Sequence, residues 1–116
     1  MKSVLIVDDS RVSRKILRNI LEHNGYAVAG EAIDGNEAVD LYKKLNPDFV
    51  TMDITMPSLN GIEALKQIKD YDPDAKIIIV TAAGQQEKRD LAKENGAAHF
   101  VTKPYDYQEI IDALEH

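Results

Sequence analysis

The sequence contains no cysteine and no long hydrophobic run. Without cysteine the chain forms neither disulfides nor thiolate sites, and a reducing compartment is compatible with this composition. The longest uncharged, apolar-leaning run, residues 77–83, is far shorter than the roughly 18–20 residues that cross a bilayer. The short apolar run before the first acids, residues 4–7, is too brief for the core of a signal peptide. We therefore expect a cytoplasmic protein with no membrane insertion.

Positive charge is also scarce. The chain has 14 Lys and Arg against 20 Asp and Glu, so its formal net charge is −6. An acidic domain has little attraction for a phosphate backbone, and direct nucleic-acid binding is not expected. No repeat, linker or low-complexity tract divides the 116 residues, which predicts one domain over 1–116. Residues 114–116 resemble the start of an affinity-tag junction, in which case the natural protein is expected to continue beyond this point.

Short apolar runs predict a set of buried strands. Residues 4–7, 48–52, 76–80 and 98–101 are rich in β-branched side chains and do not alternate with polar residues, as in strands covered on both faces. The more polar run 26–32 predicts an edge strand.

Helical periodicity fills the intervals between these strands. Apolar residues share a face in four segments: Val12, Ile16, Ile20 and Leu21; Ala38, Leu41, Tyr42 and Leu45; Ile62, Leu65 and Ile68; and Ile110, Ile111 and Leu114. The segment 85–95 has Leu91 as its only large apolar residue, which predicts a weakly anchored helix. This alternation predicts an α/β fold, a doubly wound (βα)₅ domain with a five-stranded parallel sheet.

Polar residues stand where the predicted strands end. Asp8 and Asp9 follow the first strand, Asp53 the third, Thr81 the fourth and Lys103 the fifth. Taken singly, each has a structural explanation, such as a helix cap, a turn or an exposed charge. Because ligands of open parallel sheets bind beyond the carboxyl ends of the strands, their joint occurrence favours an active site.

The residue types in this set indicate the chemistry. Adjacent carboxylates repel each other and need a cation, and oxygen ligands suit a hard ion such as Mg²⁺, which also accepts phosphate oxygens. Asp53 is then the candidate nucleophile for an aspartyl-phosphate. The Lys103 ammonium and the Thr81 hydroxyl are expected to contact phosphoryl oxygens.

The whole chain, from about residue 2 to 114, resembles a response-regulator receiver domain of the CheY-like superfamily. The resemblance is carried by VDDS at 7–10, DITMPSLNG at 53–61, TA at 81–82 and KP at 103–104. The stretches 50–57 and 83–86 are most similar to stand-alone chemotaxis-type regulators. The resemblance, and not the residue patterns, implies the flavodoxin-like and CheY-like strand order 2-1-3-4-5.

The resemblance also implies roles in two-component signalling. Asp53 would accept a phosphoryl group from a sensor histidine kinase, and the domain would slowly dephosphorylate itself. Asp9, Asp53 and the Thr55 carbonyl would bind Mg²⁺ directly, and Asp8 would act through a metal-bound water. Thr81 and Lys103 would hold the phosphoryl group. Because the domain acts on itself, the resemblance describes a switch more than a turnover enzyme.

A switch and an output surface follow from the same resemblance. Thr81 and Phe100 would form the switch, although Phe100 is equally explained as an ordinary core residue. A downstream protein would bind the fourth helix, fifth strand and fifth helix, including Gln86, Arg89, His99 and Tyr105. Gly61 is expected to supply a positive φ after the active-site loop. The chain is expected to be monomeric, with a phosphorylation-induced dimer left open.

Other readings of the same residues remain. The domain is alternatively a receiver cut from a longer regulator, or a phosphorelay carrier. A Mg²⁺-dependent phosphatase with an aspartate nucleophile also uses such acids, but it needs a general acid where this chain has Thr55. A flavin-binding module would need a phosphate loop after the first strand, where this chain instead has the two acids Asp8 and Asp9. A degenerate receiver, used only as an interaction surface, would not need the complete acid, threonine and lysine set.

Overall fold

Five strands alternate with five helices in the structure, a computed structural model that describes residues 1–54, 61–82, 84, 86–103 and 106–115. The strands are β1 (Ser3–Val7), β2 (Ala27–Ala32), β3 (Phe49–Asp53), β4 (Ile77–Ala82) and β5 (His99–Lys103). The helices are α1 (Arg11–His23), α2 (Gly35–Leu45), α3 (Gly61–Tyr71), α4 (Gln86–Glu94) and α5 (Tyr107–Glu115). The alternation confirms the predicted (βα)₅ arrangement.

The strands form one parallel sheet in the order β2-β1-β3-β4-β5. This order confirms the one that the resemblance implied, and the polar strand β2 lies at an edge as predicted. Asp53, Thr81 and Lys103 are members of their strands and do not follow them, a difference of one or two residues at each strand end.

The core lies on both faces of the sheet. In β1, Val4 and Ile6 belong to one cluster, and the alternate residues Leu5 and Val7 belong to the other. The first cluster joins the sheet to α1 and α5, and the second joins it to α2, α3 and α4. The predicted buried faces of α3 and α5 are confirmed. In α2, Ala38 and Tyr42 are buried, whereas Leu45 is 40% exposed.

Side-chain caps and left-handed residues set the ends of α1, α2 and α4. Ser10 caps α1 by accepting a hydrogen bond from the Ser13 amide, at 3.2 Å. Asn46 ends α2 in the left-handed conformation with φ 47°, and Gly96 follows α4 with φ 94°.

The predicted buried face of α1 is confirmed at Leu21, which is buried, and at Ile20, which packs against the core, but it is wrong at Val12 and Ile16. Val12 and Ile16 are 68% and 52% exposed, and the buried residues of α1 are Leu17 and Leu21. The sheet-facing side of α1 also carries Arg14, which is compatible with partial burial because it pairs with Glu31 of β2. Apolar periodicity alone does not locate a packing face that includes ion-paired arginines.

Helix α4 buries few apolar side chains, as predicted, but the residue that it buries is not the predicted Leu91. Leu91 is 42% exposed, and Ala92 is the buried residue of the helix. A small side chain lets the helix lie close to the sheet while contributing little buried area. Within the described ranges, no helix is both long enough and apolar enough to cross a bilayer.

Candidate functional site

Strand register brings the polar residues to one edge of the sheet. Val7 of β1 pairs with Met52 of β3, so Asp8 and Asp53 are the next residues on neighbouring strands. Asp53 pairs with Val80, one residue before Thr81, and Ala82 pairs with Lys103. Four strands therefore deliver these side chains to the carboxyl edge, where open parallel sheets bind ligands.

Lys103 contacts two carboxylates at this edge. Its Nζ lies 3.0 Å from Asp8 Oδ2 and 3.4 Å from Asp53 Oδ2. Asp8 and Asp53 are nearly buried, at 7% and 6% exposure. Burial by itself lowers the pKa of Lys103, but its hydrogen bond to Asp8 and the charges of Asp53 and Asp8 outweigh burial and raise that pKa. Lys103 is thus a cation held between the carboxylates of Asp8 and Asp53.

Asp8 is held at several atoms. Its amide donates to the Ala32 carbonyl of β2 at 3.0 Å, and its Oδ1 accepts from the Ser10 amide at 2.8 Å. Its Oδ2 accepts from Lys103, as above. Asp9, in contrast, is exposed. One acid is therefore fixed inside the site while its neighbour faces solvent.

The acids form a group suited to a hard cation. Each of Asp8, Asp9 and Asp53 offers a carboxylate oxygen, and these oxygens all lie within 4.8 Å of one another. Three carboxylates and the Lys103 ammonium sum to a formal charge of −2, which one divalent ion would neutralise. Oxygen donors and this charge fit Mg²⁺. The remaining predicted ligand, Thr55, lies outside the described residues.

The predicted switch residues lie on adjacent strands: Thr81 is near the carboxyl end of β4, and Phe100 is the second residue of β5. Thr81 is fully buried, and its hydroxyl donates to the Ala82 carbonyl at 3.3 Å. Phe100 is half-buried against the α2–α3–α4 side of the core, and the Arg89 guanidinium lies 5.3 Å from its ring centroid. Phe100 is therefore neither a fully buried core residue nor a free one.

Gly61 was expected to have a positive φ, and this prediction is wrong. Among the described glycines, positive φ occurs at Gly25, Gly84 and Gly96. Gly61 is required for another reason: a Cβ there would lie 2.6 Å from both the Asp53 carbonyl oxygen and the Ile54 Cα. The helix start packs directly on the backbone that carries Asp53.

Two residues near the site were not anticipated from sequence. Arg14 Nη1 donates to the Asp8 carbonyl at 2.8 Å, and Arg14 Nε donates to Glu31 at 3.0 Å. The available signal was Glu31 itself, a charge within a predicted strand, which requires a cationic partner when partly buried.

Comparisons with known proteins agree with this fold. A family model described as response regulator receiver domain matches residues 4–115. The chain belongs to the response regulator receiver domain family, and it is therefore a protein of two-component signalling.

Several similar proteins are chemotaxis regulators. The chain is 51% identical over 113 residues to the chemotaxis protein CheY of Thermotoga maritima, covering 97% of this chain and 94% of that protein. It is 47% identical to CheY of Halobacterium salinarum over 97% of this chain and 93% of that protein. A solved CheX–CheY–BeF₃–Mg complex from Borrelia burgdorferi matches with TM-score 0.92 and 37% identity, over 97% of this chain and 86% of that one.

Proposed function

We propose that this chain is a phosphorylation-dependent switch that accepts a phosphoryl group on Asp53 from the phosphohistidine of a sensor histidine kinase. The observation that carries the proposal is the convergence of Asp8, Asp9 and Asp53 around one site with the Lys103 ammonium inside it. The identity to chemotaxis regulators favours a chemotaxis-type regulator that stands alone. A receiver cut from a longer regulator and a phosphorelay carrier are the alternatives.

The transfer is a displacement at phosphorus. A carboxylate oxygen of Asp53 forms the new O–P bond as the P–N bond to the donor imidazole breaks, and the bonding electron pair stays on that nitrogen. Lys103, 3.4 Å from Asp53, is placed to neutralise an incoming phosphoryl oxygen. In slow self-dephosphorylation, a water oxygen then forms a bond to phosphorus as the bond from phosphorus to Asp53 breaks. This step releases inorganic phosphate and restores the Asp53 carboxylate.

The proposed Mg²⁺ ligands are Asp9, Asp53 and the Thr55 carbonyl, which would bind the ion directly, and Asp8, which would act through a water molecule. When bound, Mg²⁺ would supply positive charge for the phosphoryl oxygens. The protein's own part is to hold the nucleophile: Asp53 is the last residue of a buried strand, and Gly61 packs on its backbone. Catalysis by such a site is mainly positioning and charge neutralisation.

The switch is proposed to run from Thr81 to Phe100. The Thr81 hydroxyl must exchange its 3.3 Å bond to the Ala82 carbonyl for a phosphoryl oxygen, a turn of one side chain in a fully buried position. Helix α4, anchored by Ala92, is the packed element that yields at least cost when Phe100 moves.

The proposed output surface is the face formed by α4, β5 and α5. A groove of about 400 Å³ on this face is lined by Gln86, Arg89, His99 and Phe100, together with Asp90 and Lys93 of α4. A downstream protein that reads this groove would detect the position of Phe100 directly. Tyr105, also assigned to this surface, lies outside the described residues.

Phosphoryl uptake is the first test. The protein is incubated with Mg²⁺ and a small acyl phosphate, and its intact mass is recorded beside those of Asp53→Asn and Asp40→Asn. The second variant makes the same chemical change at an exposed site on α2. We expect the wild type and Asp40→Asn to gain one phosphoryl group and Asp53→Asn to gain none.

The controls separate the alternatives. Chelation of Mg²⁺ should abolish the gain in mass. No gain in the wild type with Mg²⁺ bound would leave an interaction-only receiver as the better account. Sustained release of inorganic phosphate from phosphate esters would instead favour the phosphatase.

A further inference from the structure

We propose that Arg14 is a positioning residue for the acid cluster, held in place by Glu31 of the edge strand. This inference rests on the proposed Mg²⁺ site. It concerns how the chain fixes the direction of the Asp8–Asp9 pair, which lies beyond the end of β1.

Arg14 binds the peptide that joins the two acids. Its Nη1 donates to the carbonyl oxygen of Asp8 at 2.8 Å, and that carbonyl belongs to the same planar unit as the Asp9 amide. On the other side of Asp8, the amide is fixed by the Ala32 carbonyl at 3.0 Å. Arg14 thus sets the plane from which Asp9, the exposed member of the cluster, extends toward Asp53.

Glu31 holds the other edge of the guanidinium. Its Oε1 accepts from Arg14 Nε at 3.0 Å, and its Oε2 accepts from Arg18 Nε at 2.9 Å and pairs with Arg18 Nη2 at 2.8 Å. Burial by itself raises the pKa of Glu31, but the hydrogen bonds from Arg18 and Arg14 outweigh burial and lower it. Glu31 therefore stays ionised and bridges both arginines.

The planar fork of arginine is needed for this role. One nitrogen reaches the backbone carbonyl while another reaches the carboxylate, and a lysine ammonium at the same position has a single nitrogen to offer. The Arg14 side chain is 13% exposed, so this geometry is held with little competition from water. The contacts of Arg14 with Glu31 and with the Asp8 carbonyl therefore connect β2, α1 and the end of β1 at one point.

Arg18 provides a matched control. It carries the same charge, pairs with the same glutamate and lies one helical turn further from the site, with no described contact to Asp8. If charge alone mattered, removing Arg14 would strengthen Mg²⁺ binding, because a cation near the acids is lost. A positioning role for Arg14 predicts the opposite, that Mg²⁺ binding weakens when Arg14 is removed.

The test is a Mg²⁺ titration of nitrogen-15-labelled wild type, Arg14→Ala, Arg14→Lys and Arg18→Ala, followed through the backbone amide resonances. We expect Arg14→Ala to bind Mg²⁺ about 10-fold more weakly, the low end of the effect of removing a group that orients a metal ligand. Arg14→Lys should lose an intermediate amount of Mg²⁺ affinity, and the Mg²⁺ affinity of Arg18→Ala should stay within about twofold of the wild-type value.

The spectra without Mg²⁺ give a second readout. The Asp9 amide resonance should shift in both Arg14 variants, because the hydrogen bond to the preceding carbonyl changes, and it should stay in place in Arg18→Ala. Amide dispersion reports folding, and Arg14→Lys carries the test if Arg14→Ala does not fold.

The outcomes are separable. Mg²⁺ binding by Arg14→Ala that equals or exceeds that of the wild type would overturn the positioning role while leaving the proposed function intact. An equal loss in Arg18→Ala would reduce Arg14 to a general stabilising ion pair. Absence of Mg²⁺ binding by the wild type would overturn both proposals.

Discussion

Replacement of Gly61 by alanine tests the close contact between α3 and the nucleophile strand. The added Cβ would meet the Asp53 carbonyl oxygen and the Ile54 Cα at 2.6 Å, whereas Cβ contacts below 3.0 Å are essentially never seen. The two backbones must therefore separate by at least 0.4 Å, the difference between these distances. Because both contacted atoms are main chain, no side-chain rotation relieves the overlap.

Two effects of opposite sign decide the stability. Overpacking costs about 1–3 kcal/mol. Alanine is favoured over glycine in a helix by up to about 1 kcal/mol, and Gly61 has no positive φ to oppose it. The steric term is larger, so Gly61→Ala should lower the free energy of unfolding by about 1–2 kcal/mol. The displaced group is the Asp53 backbone, so phosphoryl uptake should slow by about 10-fold or more.

The assay combines urea unfolding, followed by circular dichroism, with the rate of phosphoryl uptake by intact mass. Gly25→Ala is the control: Gly25 has φ +85° and no atom within 4 Å of an added Cβ. It should lose about 1 kcal/mol through backbone strain and keep its uptake rate. If Gly61→Ala is as stable as the wild type and is phosphorylated as fast, the close-approach argument is wrong.

Three further predictions concern the core, the site charge and pH. Thr51→Val should raise the free energy of unfolding by about 1 kcal/mol in urea melts, because the buried Thr51 hydroxyl has no hydrogen-bond partner among the described residues. Lys103→Met should tighten Mg²⁺ binding roughly 10-fold in a calorimetric titration and slow phosphoryl uptake, since a charge contact near 3 Å is worth on the order of 1–4 kcal/mol; weaker Mg²⁺ binding would contradict this. Because the pKa of Glu31 is lowered from 4.5, its stabilising contribution is present above that pH and is lost as pH falls through the folded-state pKa. The difference in the free energy of unfolding between wild type and Glu31→Gln should therefore shrink between about pH 6 and pH 3 in urea melts. A constant difference would exclude the ion pairs of Glu31 with Arg14 and Arg18 as its source.

The convergence of the acids was predictable because it depends on topology alone. Once the strands are parallel, residues at their carboxyl ends lie at one edge, and Asp8, Asp53 and Lys103 are brought there by neighbouring registers. The chemistry could be inferred from the residue types, since carboxylates and an ammonium at one edge have few other uses together. Their roles in phosphoryl transfer remain predictions.

The packing of α1 was not predictable from local pattern. Val12 and Ile16 repeat at helical spacing, yet they are exposed, whereas the partly buried side of the helix contains Arg14 and Arg18. Polar side chains are tolerated there because Glu31, more than a dozen residues away in sequence, supplies their charge partner. A periodic pattern reports which residues can be buried, and not which distant residue will meet them.

The sequence by itself determined the alternation of strands and helices, the parallel sheet and the edge at which the acids, threonine and lysine gather. These features follow from apolar runs and from chain connectivity, both of which are local. The tertiary structure alone decided that Gly61 serves close approach instead of a positive φ, that Arg14 reaches the Asp8 carbonyl, and that Lys103 lies between two acids at hydrogen-bond range. Such contacts depend on distances of a few tenths of an ångström between segments far apart in the chain, which no local pattern encodes.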